Sequence, residues 1–242
     1  MTNPKSSRKR WKIALGVVVL FAVMGWLVAW PAYQRHRAFE AIERVGGEVS
    51  REITGPQWLQ KLGFESGRVI SVGLMTTDIS DDGLKHVSGL SNCEWLWLDD
   101  TRISDDGLKH LSGLTNLQSL TLNNTEVSDD GLVHLKDLTK LIQLHLGDTQ
   151  ISDAGLKHLS GLTELQSLYL SGTHVGTDGL KHLSGMKWLE VLDLTNTNTT
   201  DDGLKHLSGF RSLDTLRLDG TEVTDDGVNM LQESLPNCRI SW

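Results

Sequence analysis

Cysteine is scarce in this sequence: Cys93 and Cys238 are the two cysteines among 242 residues. They do not form a Cys-x-x-Cys motif, and the sequence has no glycine-rich phosphate-binding loop. No serine belongs to a recognisable arrangement of nucleophile, histidine base and carboxylate. These absences argue against redox, nucleotide-dependent and serine-nucleophile enzymes. We therefore predict a protein that is not an enzyme, with no catalytic residues and no cofactor.

Acidic residues are absent from the start of the chain, since all 31 lie at Glu40 or later. Seven of the 23 basic residues precede that position, and five of them lie within residues 1–12. From Ala38 onward the formal charge is 16 basic minus 31 acidic residues, or −15. Such an acidic body repels the phosphate backbone of nucleic acids, so we expect no nucleic-acid partner.

Residues 13–30 form a run without charge, long enough to span about 27 Å as a helix and so to match the hydrocarbon core of a bilayer. Trp11, Trp26 and Trp30 lie at its ends, as in an interfacial aromatic belt. This predicts a transmembrane signal-anchor behind a basic cytoplasmic tail, residues 1–12. The alternative is a cleaved signal peptide, although its apolar core is usually only about 7–15 residues. The basic excess before the span predicts a single-pass membrane protein with a cytoplasmic N-terminus and an extracytoplasmic body.

The next segment, residues 31–68, is predicted to form a juxtamembrane helix and an N-terminal cap. Apolar residues recur in it at a spacing of three: Phe39, Ile42 and Val45. This spacing predicts a short amphipathic helix over residues 38–47 that ends at a pair of glycines. Residues 48–53 read as a brief strand, and residues 58–64 as a second short helix that covers the exposed end of the core.

A 24-residue period governs the remainder of the chain. The heptad SDDGLKH begins at Ser80 and again at Ser104, and related heptads follow at the same interval. The seven aligned blocks begin at Ile79, Ile103, Val127, Ile151, Val175, Thr199 and Val223. Within a block, Leu120 and Leu122 share one face of a short strand because they are two residues apart. Ser104 and the two following aspartates predict a helix start, and Gly113 is placed to end that helix in a left-handed conformation.

One block buries too little apolar surface to fold alone, so the blocks must stack on one another. These residues resemble the leucine-rich-repeat family, in a 24-residue form with Thr rather than Asn after the strand. The resemblance implies an α/β solenoid over residues 69–242, with a parallel sheet on the concave side, short helices on the convex side and a C-terminal cap. Together with the anchor, it is similar to bacterial membrane-anchored leucine-rich-repeat proteins.

Two other repeated sets are predicted to be structural. Histidine recurs at His86, His110, His134, His158, His182 and His206, on the outer surface of the helices. In five of the seven blocks, paired aspartates lie at the positive end of the helix dipole, which explains them without a calcium ion. Neither set closes a ligand shell, so we predict no metal site. Cys93 and Cys238 lie six strand spacings apart, or about 30 Å, and are expected to be buried thiols rather than a disulfide.

The outward positions of the strands vary between copies, whereas the Lys-His positions of the helices hardly change. This contrast predicts a recognition surface on the concave face for a protein or glycan partner. The candidate partner-binding residues are Trp95, Trp97, His145, Tyr169 and Arg217. For the two tryptophans, the alternative is that the N-terminal cap folds over them as core.

The sequence thus predicts a membrane-anchored recognition module. The principal alternative is a structural membrane scaffold that self-associates through the convex Lys-His surface. A third interpretation rests on likeness to the repeats of F-box proteins, but the segment before the repeats is too short for an F-box. An inverted topology, with the solenoid in the cytoplasm, would suit an intracellular receptor-like role.

Overall fold

The computed structural model describes residues 33, 36–53 and 67–242. Within these residues, nine strands form one sheet and follow one another across it in chain order. The strands are β1 Glu48–Ile53, β2 Gly67–Gly73, β3 Trp95–Trp97, β4 Ser119–Thr121, β5 Gln143–His145, β6 Ser167–Tyr169, β7 Val191–Asp193, β8 Thr215–Arg217 and β9 Arg239–Ser241. Strands β2 to β9 are parallel, and β1 is antiparallel to β2.

A short helical segment returns the chain from each strand to the next. Helix α1 covers residues 36–44. Its successors are α2 Asp81–Leu84, α3 Asp105–Leu108, α4 Asp153–Leu156, α5 Thr177–Leu180, α6 Asp201–Leu204 and α7 Asp225–Ser234. Single 3₁₀ turns follow helices α2 to α6, and in the third block a 3₁₀ turn, Gly131–Leu135, replaces the α-helix altogether. The predicted solenoid of strands and short helices is confirmed.

The core is a stack of identical leucine positions. The sheet register pairs Leu96 with Leu120, Leu120 with Leu144 and so on, one block apart, so equivalent side chains lie one above another. These residues are fully buried. The sheet differs from the prediction at its N-terminal edge, where β1 runs antiparallel. Pairing with β1 satisfies backbone groups that β2 would otherwise present at an open edge.

The turn after each strand is held by a threonine. The hydroxyls of Thr101, Thr125 and their equivalents donate to the carbonyl three residues earlier, at 2.6–2.7 Å. The residue before each threonine has a positive φ, as in Asn124 (53°) and Gly172 (68°). The left-handed position predicted for Gly113 is wrong, since Gly113 is not among the described residues with positive φ. The chain reverses sharply after the strand, not after the helix, so left-handed backbone is needed there.

In four of the five aspartate pairs, the first aspartate binds the next repeat. Asp129 Oδ1 accepts from the Ser152 backbone N–H at 2.8 Å, and its Oδ2 accepts from the Ser152 hydroxyl at 2.5 Å. The same contact joins Asp81 to Ser104, Asp105 to Ser128 and Asp201 to Thr224. Compensation of the helix dipole, which the sequence predicted for these residues, is therefore accompanied by a direct link between repeats.

That link requires glycine in the following repeat. A Cβ on Gly155 would lie 2.3 Å from Asp129 Oδ1, and one on Gly107 would lie 2.4 Å from Asp81 Oδ1. No side chain tolerates such a distance, so the glycine of the repeated DDGL sequence makes room for the carboxylate of the previous repeat. The second aspartate instead faces solvent and pairs with a lysine three residues on, as in Asp82–Lys85 and Asp178–Lys181.

The N-terminal end of the solenoid is closed by α1. Ala38 and Ile42 are buried, and Phe39 and Val45 pack against the core. The helix ends at Arg44, and Gly46 just beyond it has a left-handed φ of +84°. The strand Glu48–Ile53 matches the sequence prediction, and the helix predicted over residues 38–47 is found over residues 36–44. The predicted span at 13–30 and the predicted cap helix at 58–64 lie outside the described residues, and no helix within the described residues is long and apolar enough to cross a membrane.

Both cysteines are buried free thiols, as predicted. Burial raises the pKa of Cys93 to about 12 and that of Cys238 to about 11. The Cys93 thiol donates to the carbonyl of Trp95 at 3.3 Å. Each therefore acts as a small apolar side chain in the core.

Candidate recognition surface

The predicted concave surface, here called the strand face, consists of the side chains of β2 to β8 that point away from the leucine core. Because the strands are parallel and in register, these side chains form two rows across the sheet. One row contains Gly73, Trp97, Thr121, His145, Tyr169, Asp193 and Arg217. Four of the five predicted site residues lie in this row, and the fifth, Trp95, lies in the adjacent row.

The tryptophans of β3 and Met75, which follows β2, are the large apolar side chains at this end of the strand face. The Trp95 side chain is 36% exposed and Met75 is 47% exposed, while Trp97 is half-buried. Cε3 of Trp97 lies 3.6 Å from the position that a Cβ on Gly73 would take. The indole thus lies over the backbone of β2, and glycine at position 73 leaves it space. Trp95 and Met75 remain accessible to a partner.

Strand β4 lies next to β3 in the sheet. Its outward residues are small, and Ser119 and Thr121 are only 4% and 7% exposed. The sequence predicted solvent-facing side chains at these two positions; that expectation is wrong, because taller neighbours on β3 and β5 shield them. The Thr121 hydroxyl donates to Asp99, and the Ser119 hydroxyl lies 3.4 Å from Oε1 of Gln143.

His145 and Tyr169 form a second aromatic group beyond β4. Their ring centroids are 4.1 Å apart, with an angle of 29° between the ring planes, so the rings are stacked. Burial lowers the pKa of His145, and the negative charge of Asp99 partly opposes that shift. The imidazole is therefore neutral at pH 7. The two strand spacings between β3 and β5 place this group about 10 Å from the tryptophans.

Arg217 belongs to a separate part of the strand face. Its guanidinium forms an ion pair with the buried carboxylate of Asp193 at 3.2 Å. Five strand spacings, or about 24 Å, separate β8 from the tryptophans of β3. The structure thus separates the predicted residues into three groups along the sheet: the two tryptophans on β3, His145 and Tyr169 on β5 and β6, and Arg217 on β8.

Two acidic residues at this site escaped the sequence analysis as candidates. Asp99 follows β3 and accepts hydrogen bonds from the Asn123 backbone N–H at 2.9 Å and side-chain amide at 2.7 Å. Glu48 of β1 pairs with Gly73 in the sheet register. Asp99 could have been found from its outward position two residues beyond Trp97. Glu48 could not, because it lies outside the repeats and the antiparallel pairing of β1 leaves no periodic signal.

The described residues contain no group of three or more histidine, cysteine, aspartate or glutamate side chains that could hold a metal ion. Of the repeated histidines, five are half-buried and His206 is exposed. A cavity of about 270 Å³ lies on the helix side, between α6 and α7, lined by Leu204, Leu231 and Met230 among others. It is remote from the strand face and contains none of the predicted site residues.

Residues 115–175 match the family model described as leucine rich repeat. No curated protein sequence matches the chain. The fold is similar to that of an internalin (inlF) from Listeria monocytogenes, at 23% identity and a TM-score of 0.61, over 71% of this chain and 46% of that one. It is also similar to an internalin C2 (inlC2) from the same organism, at 22% identity and a TM-score of 0.55, over 72% of this chain and 81% of that one. The chain thus spans less than half the length of the inlF chain, and at these identities the likeness shows the fold alone.

Proposed function

We propose, from the premise that this chain is a leucine-rich-repeat protein, that it is a membrane-anchored recognition module. Its strand face would bind a protein partner through Met75, Trp95 and Trp97 together with His145 and Tyr169. The observation that carries this proposal is the exposure of two large apolar side chains, Trp95 and Met75, on the same end of the strand face.

Exposed large apolar side chains concentrated on one face of a protein are typical of a surface that a partner covers. Tryptophan and tyrosine supply much of the binding energy of protein interfaces, since each buries a large rigid area on contact. Strand β4 between the two aromatic groups carries small side chains that are buried, so a partner would contact the larger side chains on either side of it. Recognition would rest on this shape and on aromatic contacts, without chemistry on the partner.

The anchor is part of the proposal. Residues 13–30 would span the membrane, residues 1–12 would lie in the cytoplasm, and the solenoid would lie outside it. The support is the charge-free run and the basic excess before it. A protease-accessible tag fused after Trp242 tests the orientation: cleavage in intact cells is expected, and cleavage only after lysis would place the solenoid in the cytoplasm.

Crosslinking in the native cells tests the recognition surface, with the full-length chain and two matched variants. Trp95→Ser removes the exposed tryptophan of the strand face. Trp188→Ser removes one that is 65% exposed and follows the fifth helical return, away from the strand face. A heterologous crosslinked partner should be lost in Trp95→Ser and kept in Trp188→Ser, with both variants melting near the wild type.

Two results would contradict the proposal. Capture of the partner by Trp95→Ser at the wild-type level would show that the strand face is not the interface. Crosslinks between copies of this chain alone, unaffected by Trp95→Ser, would favour the scaffold that associates through its helix side.

A further inference from the structure

Two acidic residues, Glu48 and Asp99, lie near Trp97 at the end of the strand face that carries the tryptophans. The Cβ of Glu48 lies 3.8 Å from the position that a Cβ on Gly73 would take, and Cε3 of Trp97 lies 3.6 Å from the same position. Glu48 and Trp97 therefore lie on either side of Gly73 on the strand face. Asp99 points to the same face two residues further along the chain from Trp97.

Among the outward residues of β2 to β6 whose side chains the structure describes, none is a lysine or an arginine. Asp99 accepts only from neutral groups, the Thr121 hydroxyl and the Asn123 amides. The basic residues at the margins have other partners: Arg51 lies 3.9 Å over the Phe39 ring, and Arg102 is 3.7 Å from Asp78. The site thus presents negative charge and an aromatic ring with no internal cation.

A guanidinium group satisfies both features at once. Its plane stacks on an indole, and its N–H groups donate to carboxylates in a fixed fork. A wholly apolar segment would instead remove the charged Asp99 carboxylate from water with only neutral hydrogen-bond donors beside it, which is costly. An acidic peptide or an anionic glycan would be repelled by Glu48, Asp99 and the further exposed carboxylates Asp100 and Asp148 on the adjoining turns.

We propose that this end of the strand face binds a basic, extended polypeptide segment of the partner, with an arginine side chain seated on Trp97 between Glu48 and Asp99. The inference rests on the proposed function and specifies the chemistry of its partner. The stacked His145 and Tyr169 rings lie further along the strand face, beginning two strands beyond Trp97, where they can contact the rest of that segment.

Fluorescence anisotropy tests the inference with the full-length chain in detergent micelles. The probes are a fluorescein-labelled (Arg-Gly)4 peptide and its citrulline counterpart, in which a neutral urea group replaces each guanidinium. We expect saturable binding of the arginine peptide and at least tenfold weaker binding of the citrulline peptide. Glu48→Gln should raise the Kd for the arginine peptide about tenfold. Glu164→Gln, the same change at an exposed site away from the strand face, should leave the Kd unchanged.

Equal affinity for the two probes would overturn the inference. So would an equal loss of affinity in Glu48→Gln and Glu164→Gln, which would show diffuse attraction to an acidic protein. If either occurs while Trp95→Ser still abolishes capture of the native partner, the recognition surface stands and the basic partner is wrong. Both proposals would be overturned if every strand-face variant still bound the arginine peptide and still captured the native partner.

Discussion

Asp129 and Ser152 are joined by two hydrogen bonds, although 23 residues separate them in the chain. Four other pairs of repeats are linked by an aspartate at the equivalent position. In one of them Gly176 replaces the serine and donates only its backbone N–H to the aspartate, Asp153. The solenoid is thus held by three layers of contact between repeats: strand pairing, stacked leucines, and a row of carboxylates at the helix starts.

Removal of one carboxylate should weaken the whole stack. In Asp129→Ala, the Ser152 N–H and hydroxyl lose their acceptor in a half-buried position, and we expect a loss of about 1–3 kcal/mol in the free energy of unfolding. Asp130→Ala is the matched control, because that neighbour is exposed and lies beside the same turn. Urea denaturation of the full-length chain in detergent gives both values. Equal losses would show that helix-dipole compensation alone explains the pair.

The space that Gly155 leaves for the Asp129 carboxylate can be tested separately. Gly155→Ala places a methyl group 2.3 Å from where Asp129 Oδ1 lies, so the carboxylate must move and its bonds to Ser152 must break. We expect a loss of about 1–3 kcal/mol by overpacking. Gly113→Ala meets nothing within 4 Å and has no positive φ, so it should be neutral or slightly stabilising. A Gly113→Ala variant as unstable as Gly155→Ala would contradict this explanation.

The repeat frame was predictable from sequence because leucine spacing alone fixes which residues face the core. Leu120 and Leu122 must share a face, and a constant 24-residue interval must bring them into register with Leu144 and Leu146. The carboxylate row was not predictable in the same way. Within a single block, Asp105 has a sufficient local explanation in the helix dipole, and its partner Ser128 appears only when two blocks are stacked in space.

The strand face shows the same division between pattern and packing. Alternation correctly placed Trp95 and Trp97 on the outward side. It also placed Ser119 and Thr121 there, but could not show that taller neighbours would bury them. Exposure depends on the heights of side chains on adjacent strands, which lie 24 residues away in the chain. The pairing of Glu48 with Gly73 was hidden for a further reason, since β1 is antiparallel and lies outside the period.

The buried thiol reports on global unfolding. Because burial raises the pKa of Cys93 to about 12, its thiolate fraction at pH 8 is about a thousandfold smaller than that of a thiol with the ordinary value. In a Cys238→Ser background, alkylation of Cys93 by iodoacetamide should therefore be very slow in buffer and fast in denaturing urea, as followed by mass spectrometry. Rapid alkylation of the folded chain would show that the N-terminal end of the core opens locally.

Stability should depend on the protonation of His145. Burial lowers its pKa in the folded state, so the folded chain binds fewer protons there than the unfolded chain. The associated stability is present above the ordinary pKa of about 6.5 and is lost as pH falls below it. In His145→Phe, which keeps an aromatic ring against Tyr169, the melting temperature should fall less between pH 8 and pH 5 than in the wild type. An identical decrease in both proteins would contradict the assignment.

Oxidative footprinting tests the central claim, that the strand face is the interface, most directly. Four exposed side chains report on distinct surfaces: Met75 and Trp95 on the strand face, and Trp188 and Met230 elsewhere. The full-length chain would be exposed to hydroxyl radicals in its native membrane and after purification, and oxidation would be quantified at each side chain. We predict slower oxidation of Met75 and Trp95 in the native membrane, with Trp188 and Met230 unchanged. Protection of Trp188 or Met230 with no change at Met75 and Trp95 would contradict the claim and move the interface off the strand face.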